Sequence, residues 1–531
     1  MENTLNVDNY NYHLNHGNYT QISYVFPVVE EENLENSASD YAKFFKKVMG
    51  GLDLEQYLPE ESRIGRNGYD ARALLETILF AYSNHVYSLR KMEYACRYDI
   101  NYKYISQGLA PSYMTICRFI KHLKGSIQNI LIEVNKYIEA NDKIDDDTVY
   151  IDGTKMEANA SKFTFVWKKA TLGYQKKLFA KTDKAVNELN EFLKECNVDL
   201  TYIAKGTYTP EDYTEIMNEL DLIKENAPDA FVYGVGHRKD EFQKQYEKFQ
   251  GLTNKAFEYA EKIAICGKRN SYSKTDHDAT FMHGKEDYYM KTGIFRAEYN
   301  VQVAVSDEYI RYIDVFQECN DVNLYIPVLE GLKNMYGHYP KYPVADAGYG
   351  SYDNYMFDLK HNIELVQKYN YYEIDHKNKS NRNVFTMNSN GTYVCPNGNA
   401  FTYIGDKEIT TKGGNLRIKQ QYATKCDGCP FINKCHSNNC KDKSTKLFTV
   451  DLVYEEMKDT VIKNLESELG IVQRTRRSIE AEGTFGIFKQ DWDYDRIHRR
   501  GIDNVRLEVT LAAIGFNLKK LYTRFLRNKS N

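Results

Sequence analysis

The chain has no apolar run of roughly eighteen residues, so nothing in it reads as a membrane-spanning helix. Its polar start, Met1-Glu-Asn-Thr-Leu-Asn6, has none of the basic, apolar and small-residue regions of a secretory leader. With no leader, the ten cysteines read as those of a protein in a reducing cytosol, and clustered thiols point to metal before disulfides. An excess of positive charge is also missing. The 70 Lys and Arg face 74 Asp and Glu, a net charge of −4, so the chain as a whole is not a basic nucleic-acid coat. No Gly-rich phosphate loop interrupts residues 165–265. The expectation is a cytoplasmic protein without a membrane partner, divided by its 531 residues into about two to four domains.

Against these absences stands one dense C-terminal stretch, Arg474 to Lys489. Ile479, Phe485, Ile487 and Phe488 call for burial there, while Glu482 and Lys489 lie about two helical turns apart on one face. Arg474, Arg476 and Arg477 precede the acid, and Arg496, Arg499 and Arg500 follow it. From Arg474 onward 13 Lys and Arg face 7 Asp and Glu, a local charge of +6. Phosphate binding depends on such local clusters. An acidic centre in a basic surface suits a metal-dependent enzyme acting on a polyanion; an amphipathic helix with solvated charges is the plain alternative.

Residues 1–40 are polar and read as loosely ordered. Residues 41–144 read as helical, with periodic apolar stretches at 69–82, 88–96 and 112–123 and Ser112 as an N-cap. The last stretch carries Arg118, Lys121 and His122, which fits a helix-turn-helix on DNA and fits a plain helical bundle equally well. Thr148-Val-Tyr-Ile151 is a β-branched and aromatic strand ending at Asp152-Gly153, with Lys155 beyond it. A Lys- and Glu-rich helical insertion follows at 165–269. Strand patterns return at 294–305 and 309–316 around the turn Ser306-Asp-Glu, then comes a helix at 324–332. Tyr342-Pro-Val-Ala-Asp346 is a second strand that ends in an acid. This is an α/β order. If these strands share a sheet, Asp152 and Asp346 meet at its edge of strand ends, with Glu482 docked over them.

The cysteines cluster at Cys395 and in Cys426-x2-Cys429-x5-Cys435. The tight pair with a Gly inside it lets both thiolates face one Zn²⁺. Cys395 could supply the fourth ligand, with His436 and Cys440 as alternatives. Such a site would staple the insertion at 366–465, which is too rich in Gly, Asn and Lys to build much core. Cys96, Cys117, Cys196, Cys266 and Cys319 are scattered and read as packing residues.

Five stretches, taken together and in order, resemble a DDE (Asp-Asp-Glu) transposase of bacterial insertion sequences, the group numbered eleven eighty-two. They are Tyr150–Trp167, Thr275–Met282, Tyr299–Gln302, Ala345–Ser351 and Glu482–Asp491. The likeness runs from about residue 40 to 525. It implies an RNase H-like catalytic core at 145–164 and 270–365, completed by C-terminal helices at 466–531. In that core Asp152, Asp346 and Glu482 would bind two Mg²⁺ or Mn²⁺ ions for DNA strand cleavage and transfer. Lys489, Arg476, Arg477, Arg496, Arg499, Arg500, Lys155, Arg118 and Lys121 would touch DNA. The partners implied are the element's terminal inverted repeats, target DNA and a second copy of the chain, in a bacterial, nucleoid-associated setting. Two positions depart from the wider pattern: Thr475 and Ser478 stand where a Tyr and an Arg are expected. Glu480 rivals Glu482, but only Glu482 has the spacing to Lys489. A metal-dependent nuclease of the same fold and a non-catalytic DNA-binding derivative are the rival readings.

Overall fold

The computed structural model describes residues 27–59, 69–226, 231–234, 238–284, 295–372, 385–436 and 442–530. The chain is a mixed α/β protein that forms two compact units. One is drawn from both flanks, up to Met156 and from Asn300 onward; the other is Glu157–Tyr299.

The first unit opens with helices. Pro27–Ser37 (α1) is helical, where the polar composition reads as loose chain; residues 1–26 lie outside the described residues. Asp40–Gly50 (α2) is capped by Ser39, whose Oγ accepts from Ala42 N–H at 3.3 Å. Ala71–Ser83 (α3) is capped by Asp70, which accepts from Ala73 N–H at 2.6 Å. Leu89–Tyr98 (α4) and Ile100–Ile105 (α5) lead to Tyr113–His122 (α6), where Ser112 Oγ accepts from Thr115 N–H at 3.3 Å. Ile127–Asn141 (α7) completes the set. In each capped case a short oxygen side chain satisfies an amide that the first helical turn cannot.

Strand β1 (Thr148–Glu157) runs on into the second unit, Glu157–Tyr299. That unit holds a short strand β2 (Phe165–Trp167) and the long helices α8 (Lys168–Glu195), α9 (Pro210–Asn226) and α10 (Glu241–Cys266). Their apolar faces share a core around Leu189, Tyr213, Leu220 and Phe249. Strands β3 (Ser271–Ser273) and β4 (Thr280–His283) close it; β2 pairs antiparallel with β3. The insertion read as helical at 165–269 therefore begins with a short strand, and two more follow directly after it.

Strand β5 (Phe295–Ser306) pairs antiparallel with β4 at its start and with β6 (Tyr309–Phe316) at its end. The β5–β6 turn places Asp307 and Glu308 at φ 46° and 66°, the two-residue hairpin conformation that needs positive φ at both central positions. Helix α11 (Tyr325–Tyr336) is followed by β7 (Tyr342–Ala345), which lies parallel to β1. In the first unit the strand order is β6-β5-β1-β7. Both faces of β1 are covered. Val149 and Ile151 pack with Tyr325, Val328 and Leu329, whereas Tyr150 packs with Val344, Val366 and Ala481. A strand buried on both faces has to be apolar at successive positions, and this one is until Asp152.

Tyr352–Lys360 (α12) precedes the insertion, whose main element is the antiparallel sheet β10 (Thr402–Thr410), β11 (Leu416–Lys425) and β12 (Thr445–Val450); two short strands, β8 (Thr386–Met387) and β9 (Tyr393–Val394), come before it. After the short α13 (Ile432–Cys435), α14 (Leu452–Glu466) and α15 (Glu468–Arg477) lead to the segment with Glu482. That segment is not a regular helix. Ser478–Glu482 and Ile487–Asp491 are π-helical, on either side of one α-turn, α16 (Gly483–Gly486). The wider turns shift which residues face the sheet, so Ile479, expected to be buried, is 61 % exposed. The last helix, α17 (Ile502–Ser530), lies against α3. A Cβ on Gly515 would come within 2.8 Å of the backbone at Tyr82 and Ser83, so only glycine permits that approach.

Candidate site at the strand ends

The parallel register pairs Ile151 with Ala345, and each is followed by an aspartate. Asp152 and Asp346 therefore stand side by side where β1 and β7 face the same way. Asp152 is buried; Asp346 is half-buried and accepts from Gly348 N–H at 2.7 Å. Close to both lies Tyr349, itself buried. Its hydroxyl is pushed well above the ordinary range by burial first, then by the carboxylates of Asp152, Asp321 and Asp346. Three negative groups thus converge on one phenol that keeps its proton.

A buried polar network holds that phenol. Tyr349 Oη donates to Gln302 Oε1 at 2.5 Å, and Gln302 Nε2 donates to Asn300 Oδ1 at 2.8 Å and Asp321 Oδ1 at 3.1 Å. Asn300 Nδ2 donates to Asp321 at 2.7 Å and to the Glu318 carbonyl at 3.2 Å. Asn300 and Gln302 lie mid-strand in β5 and satisfy one another, Asp321 and the Glu318 carbonyl. Tyr349 is the neighbour of the acid pair that sequence reasoning missed; its place inside Ala-Gly-Tyr-Gly after the acid was the available signal.

The third acid is placed differently. Ala481 faces the sheet, and Glu482 beside it is exposed, its Oε1 accepting from Arg477 Nη2 at 2.6 Å. Among the described residues no group of three or more His, Cys, Asp and Glu is arranged to hold an ion. So the structure brings Asp152 and Asp346 together and does not bring Glu482 to them. The rival, Glu480, is buried and accepts from Glu308 N–H; burial is the first cause that raises its carboxyl. Arg476 joins it, bonding Asp307 at 3.1 Å. These contacts anchor the π-helical segment to the β5–β6 turn, whose Glu308 is also held by Lys520 at 2.8 Å.

The other predicted contacts are spread out. Lys489 is half-buried and its Nζ donates to the Lys155 carbonyl at 3.2 Å, with Thr154, Met156, Phe485 and Phe488 around it. Arg118 and Lys121 are exposed on α6. Arg499 N–H donates to the buried Glu508 at 2.8 Å, and Arg496 and Arg500 are exposed. A polar recess at the start of β1, lined by Asp142, Asp307, Glu308, Arg476, Arg524 and Arg527, is filled with ion pairs such as Arg524–Asp142 at 2.9 Å.

The cysteines form two turns. Gly398 N–H donates to the Cys395 carbonyl at 2.8 Å, and Cys429 N–H donates to the Cys426 carbonyl at 3.1 Å; Gly398 and Gly428 take the positive φ that such turns need. The Cys426 thiol is raised by burial, lowered by a hydrogen bond from the Lys446 backbone, and raised again by Cys435, Cys429 and Cys395. His436 is buried with Nε2 unpartnered. Cys440 lies outside the described residues. Of the cysteines read as packing residues, Cys96 and Cys266 are buried, but Cys196 is exposed at the end of α8.

An acid pair at adjacent parallel strand ends presents hard oxygen donors of the kind divalent cations take. Comparison with known families narrows this. Residues 394–522 match the family described as Transposase DDE domain, and residues 32–122 match the one described as Transposase domain (DUF772). These two segments are similar to transposase domains, the C-terminal one to a domain of the DDE type. No curated protein and no solved structure matches it. No helix among the described residues is long and apolar enough to cross a membrane.

Proposed function

We propose that this chain binds the terminal inverted repeats of an insertion sequence of the group numbered eleven eighty-two and carries out strand cleavage and strand transfer with Asp152, Asp346 and Glu482. The observation that carries the reading is the β1–β7 register, which sets Asp152 beside Asp346. The strand order β6-β5-β1-β7, with β7 parallel to β1, supports an RNase H-like core. The two carboxylates are hard oxygen donors of the kind Mg²⁺ or Mn²⁺ prefers. A bound pair of such ions supplies activation of water or a 3′-OH and charge neutralisation at the leaving oxygen.

The chain's own residues do the rest. Tyr349, fixed by Gln302, keeps its protonated hydroxyl against the acids. Glu482 has to exchange Arg477 for the acid pair, and a DNA phosphate that takes Arg477 frees it to do so. Lys489, Arg476, Arg496, Arg499, Arg500 and Lys155 form the basic surround, and α6 offers Arg118 and Lys121 to the duplex. Two ends have to be handled together, so the DNA complex contains a homodimer. Cys395, Cys426, Cys429 and Cys435 would hold a structural Zn²⁺, with His436 and Cys440 as alternatives to Cys395; the two Gly-containing turns support a thiolate knuckle.

The test is cleavage of a duplex carrying the element's own end in Mg²⁺, with wild type and Asp346→Ala. Nicking at the end by wild type, lost in the variant while binding persists, is expected. The Arg477–Glu482 pair favours one second reading, a DNA-binding derivative that no longer cuts. Specific binding without cleavage in Mg²⁺ or Mn²⁺ would establish that reading instead. Cleavage without joining to target DNA would make the chain a nuclease.

A further inference from the structure

The unit Glu157–Tyr299 carries a feature the strand-end site does not use. Residues 158–182 contain six lysines (Lys162, Lys168, Lys169, Lys176, Lys177 and Lys181) and no Asp or Glu. Five aromatic residues are interleaved with them: Phe163, Phe165, Trp167, Tyr174 and Phe179. The β-structure at the base of the unit turns part of this stretch into a ring surface. In β2 the middle residue, Val166, packs inward with Cys266 and Tyr272, so Phe165 and Trp167 point the other way. Phe281 of β4 meets Phe165 at 4.9 Å and Trp167 at 4.7 Å between ring centroids, and stacks on Phe295 at 4.8 Å with an interplanar angle of 8°. His283 closes the row against Phe295 at 4.7 Å.

A core cluster would bury these rings. Here Phe163 is 84 % exposed, Trp167 43 % and Phe295 41 %. Large rings left in water forgo their burial energy, and a contiguous exposed group of them marks a binding surface. Charge identifies the occupant. Lys162, Lys169, Lys176, Lys177 and Lys181 are all exposed, with no acid in their stretch to neutralise them, so an anion is favoured over an apolar protein segment. Exposed rings beside a lysine-rich track are what a single-stranded nucleic acid needs: each base has a face to stack and each nucleotide a phosphate to pair. A duplex keeps its bases stacked on one another and would use the lysines alone.

We infer that the Phe165–Trp167–Phe281–Phe295 surface and its lysines bind unpaired DNA bases. This rests on the transposase reading only in taking DNA rather than RNA as the strand. It gives the insertion a role: holding the strand that comes apart when an element's end is processed.

The full chain is titrated with a blunt duplex and with the same duplex carrying a short unpaired thymidine tail, and tryptophan emission is followed. The chain has two tryptophans, and Trp492 is buried, so Trp167 is the exposed reporter. The tailed duplex should quench emission and bind more tightly than the blunt one. Trp167→Ala should weaken binding of the tailed duplex by about 5- to 100-fold, the worth of one stacked base, and leave the blunt duplex unchanged. Lys169→Gln with Lys176→Gln should flatten the salt dependence for the tailed duplex. Equal affinity for both duplexes, or a tail preference that survives Trp167→Ala, overturns the inference. So does emission that changes with protein concentration alone, which would make the rings a contact between copies, and so does a preference for uridine-tailed RNA over the DNA tail. Asp346→Ala should keep the tail preference, so a failure of the catalytic reading and a failure of this one give different results.

Discussion

Gly153, immediately after the first acid, is the position where a single methyl group tests the site's construction. A Cβ there would lie 2.0 Å from Gln302 Nε2, 2.9 Å from its Cδ and 3.0 Å from Tyr349 Oη. Gln302 is fully buried and cannot swing into solvent, so its amide must retreat by more than an ångström. That movement disturbs its bonds to Asn300, Asp321 and Tyr349. Each neutral bond is worth about 1 kcal/mol net and the one to a carboxylate about 1.5–3 kcal/mol. Overpacking a tight interior adds about 1–3 kcal/mol. With partial relaxation, Gly153→Ala should destabilise the first unit by about 3–5 kcal/mol, lowering its thermal transition by roughly 4–8 °C. Differential scanning calorimetry reads this directly, with Gly173→Ala as the control. Gly173 sits in α8 with nothing within 4 Å of its Cβ position. There alanine should be neutral to stabilising by about 0.5–1 kcal/mol. If Gly153→Ala melts within about 1 °C of wild type, the network around Tyr349 is not packed as described and the reasoning fails.

Asp358 is fully buried, with Tyr325 Oη and Gln367 Nε2 donating to it, and burial lifts its carboxyl well above the usual range. The folded state therefore holds a proton that the unfolded chain releases. The stabilising effect is complete below the unfolded pKa and is lost as pH rises toward the raised one. Asp358→Asn should flatten the fall in urea midpoint across that window, and an unchanged slope would refute the assignment. Arg477→Ala should leave the melting temperature nearly unchanged, because its pair with the half-exposed Glu482 is worth at most about 1 kcal/mol. It should reduce the salt slope of end binding by about one, measured by fluorescence anisotropy at several ionic strengths. Protein purified without chelator should contain about one Zn²⁺ per chain by elemental analysis, as expected of a four-thiolate site. Cys426→Ser with Cys429→Ser should abolish it, and metal-free wild type would remove the zinc reading. Gly515→Ala should cost about 1–3 kcal/mol or more, since the atoms it meets are backbone and cannot turn aside.

Sequence alone determined what local chemistry decides. Caps at Ser39, Asp70 and Ser112, the β-branched strand ending at Asp152, the hairpin around Asp307 and the strand ending at Asp346 depend on neighbours a few residues away. The acids were legible for the same reason: a carboxylate directly after an unbroken apolar strand stands out against that run. What the chain could not announce was which strand end lies beside which. Register is set by the packing of Val149 and Ile151 against α11 and of Tyr150 against Val344, contacts between residues far apart in sequence. The placement of Glu482 was hidden for a different reason. Periodicity arguments assume 3.6 residues per turn, and π-turns before and after Gly483–Gly486 break that period, turning Ile479 outward and Glu482 toward Arg477. Tyr349 shows the same division: its position after an acid is written in the chain, but only the folded sheet surrounds its hydroxyl with Asp152, Asp321 and Asp346, because burial makes distant charges neighbours.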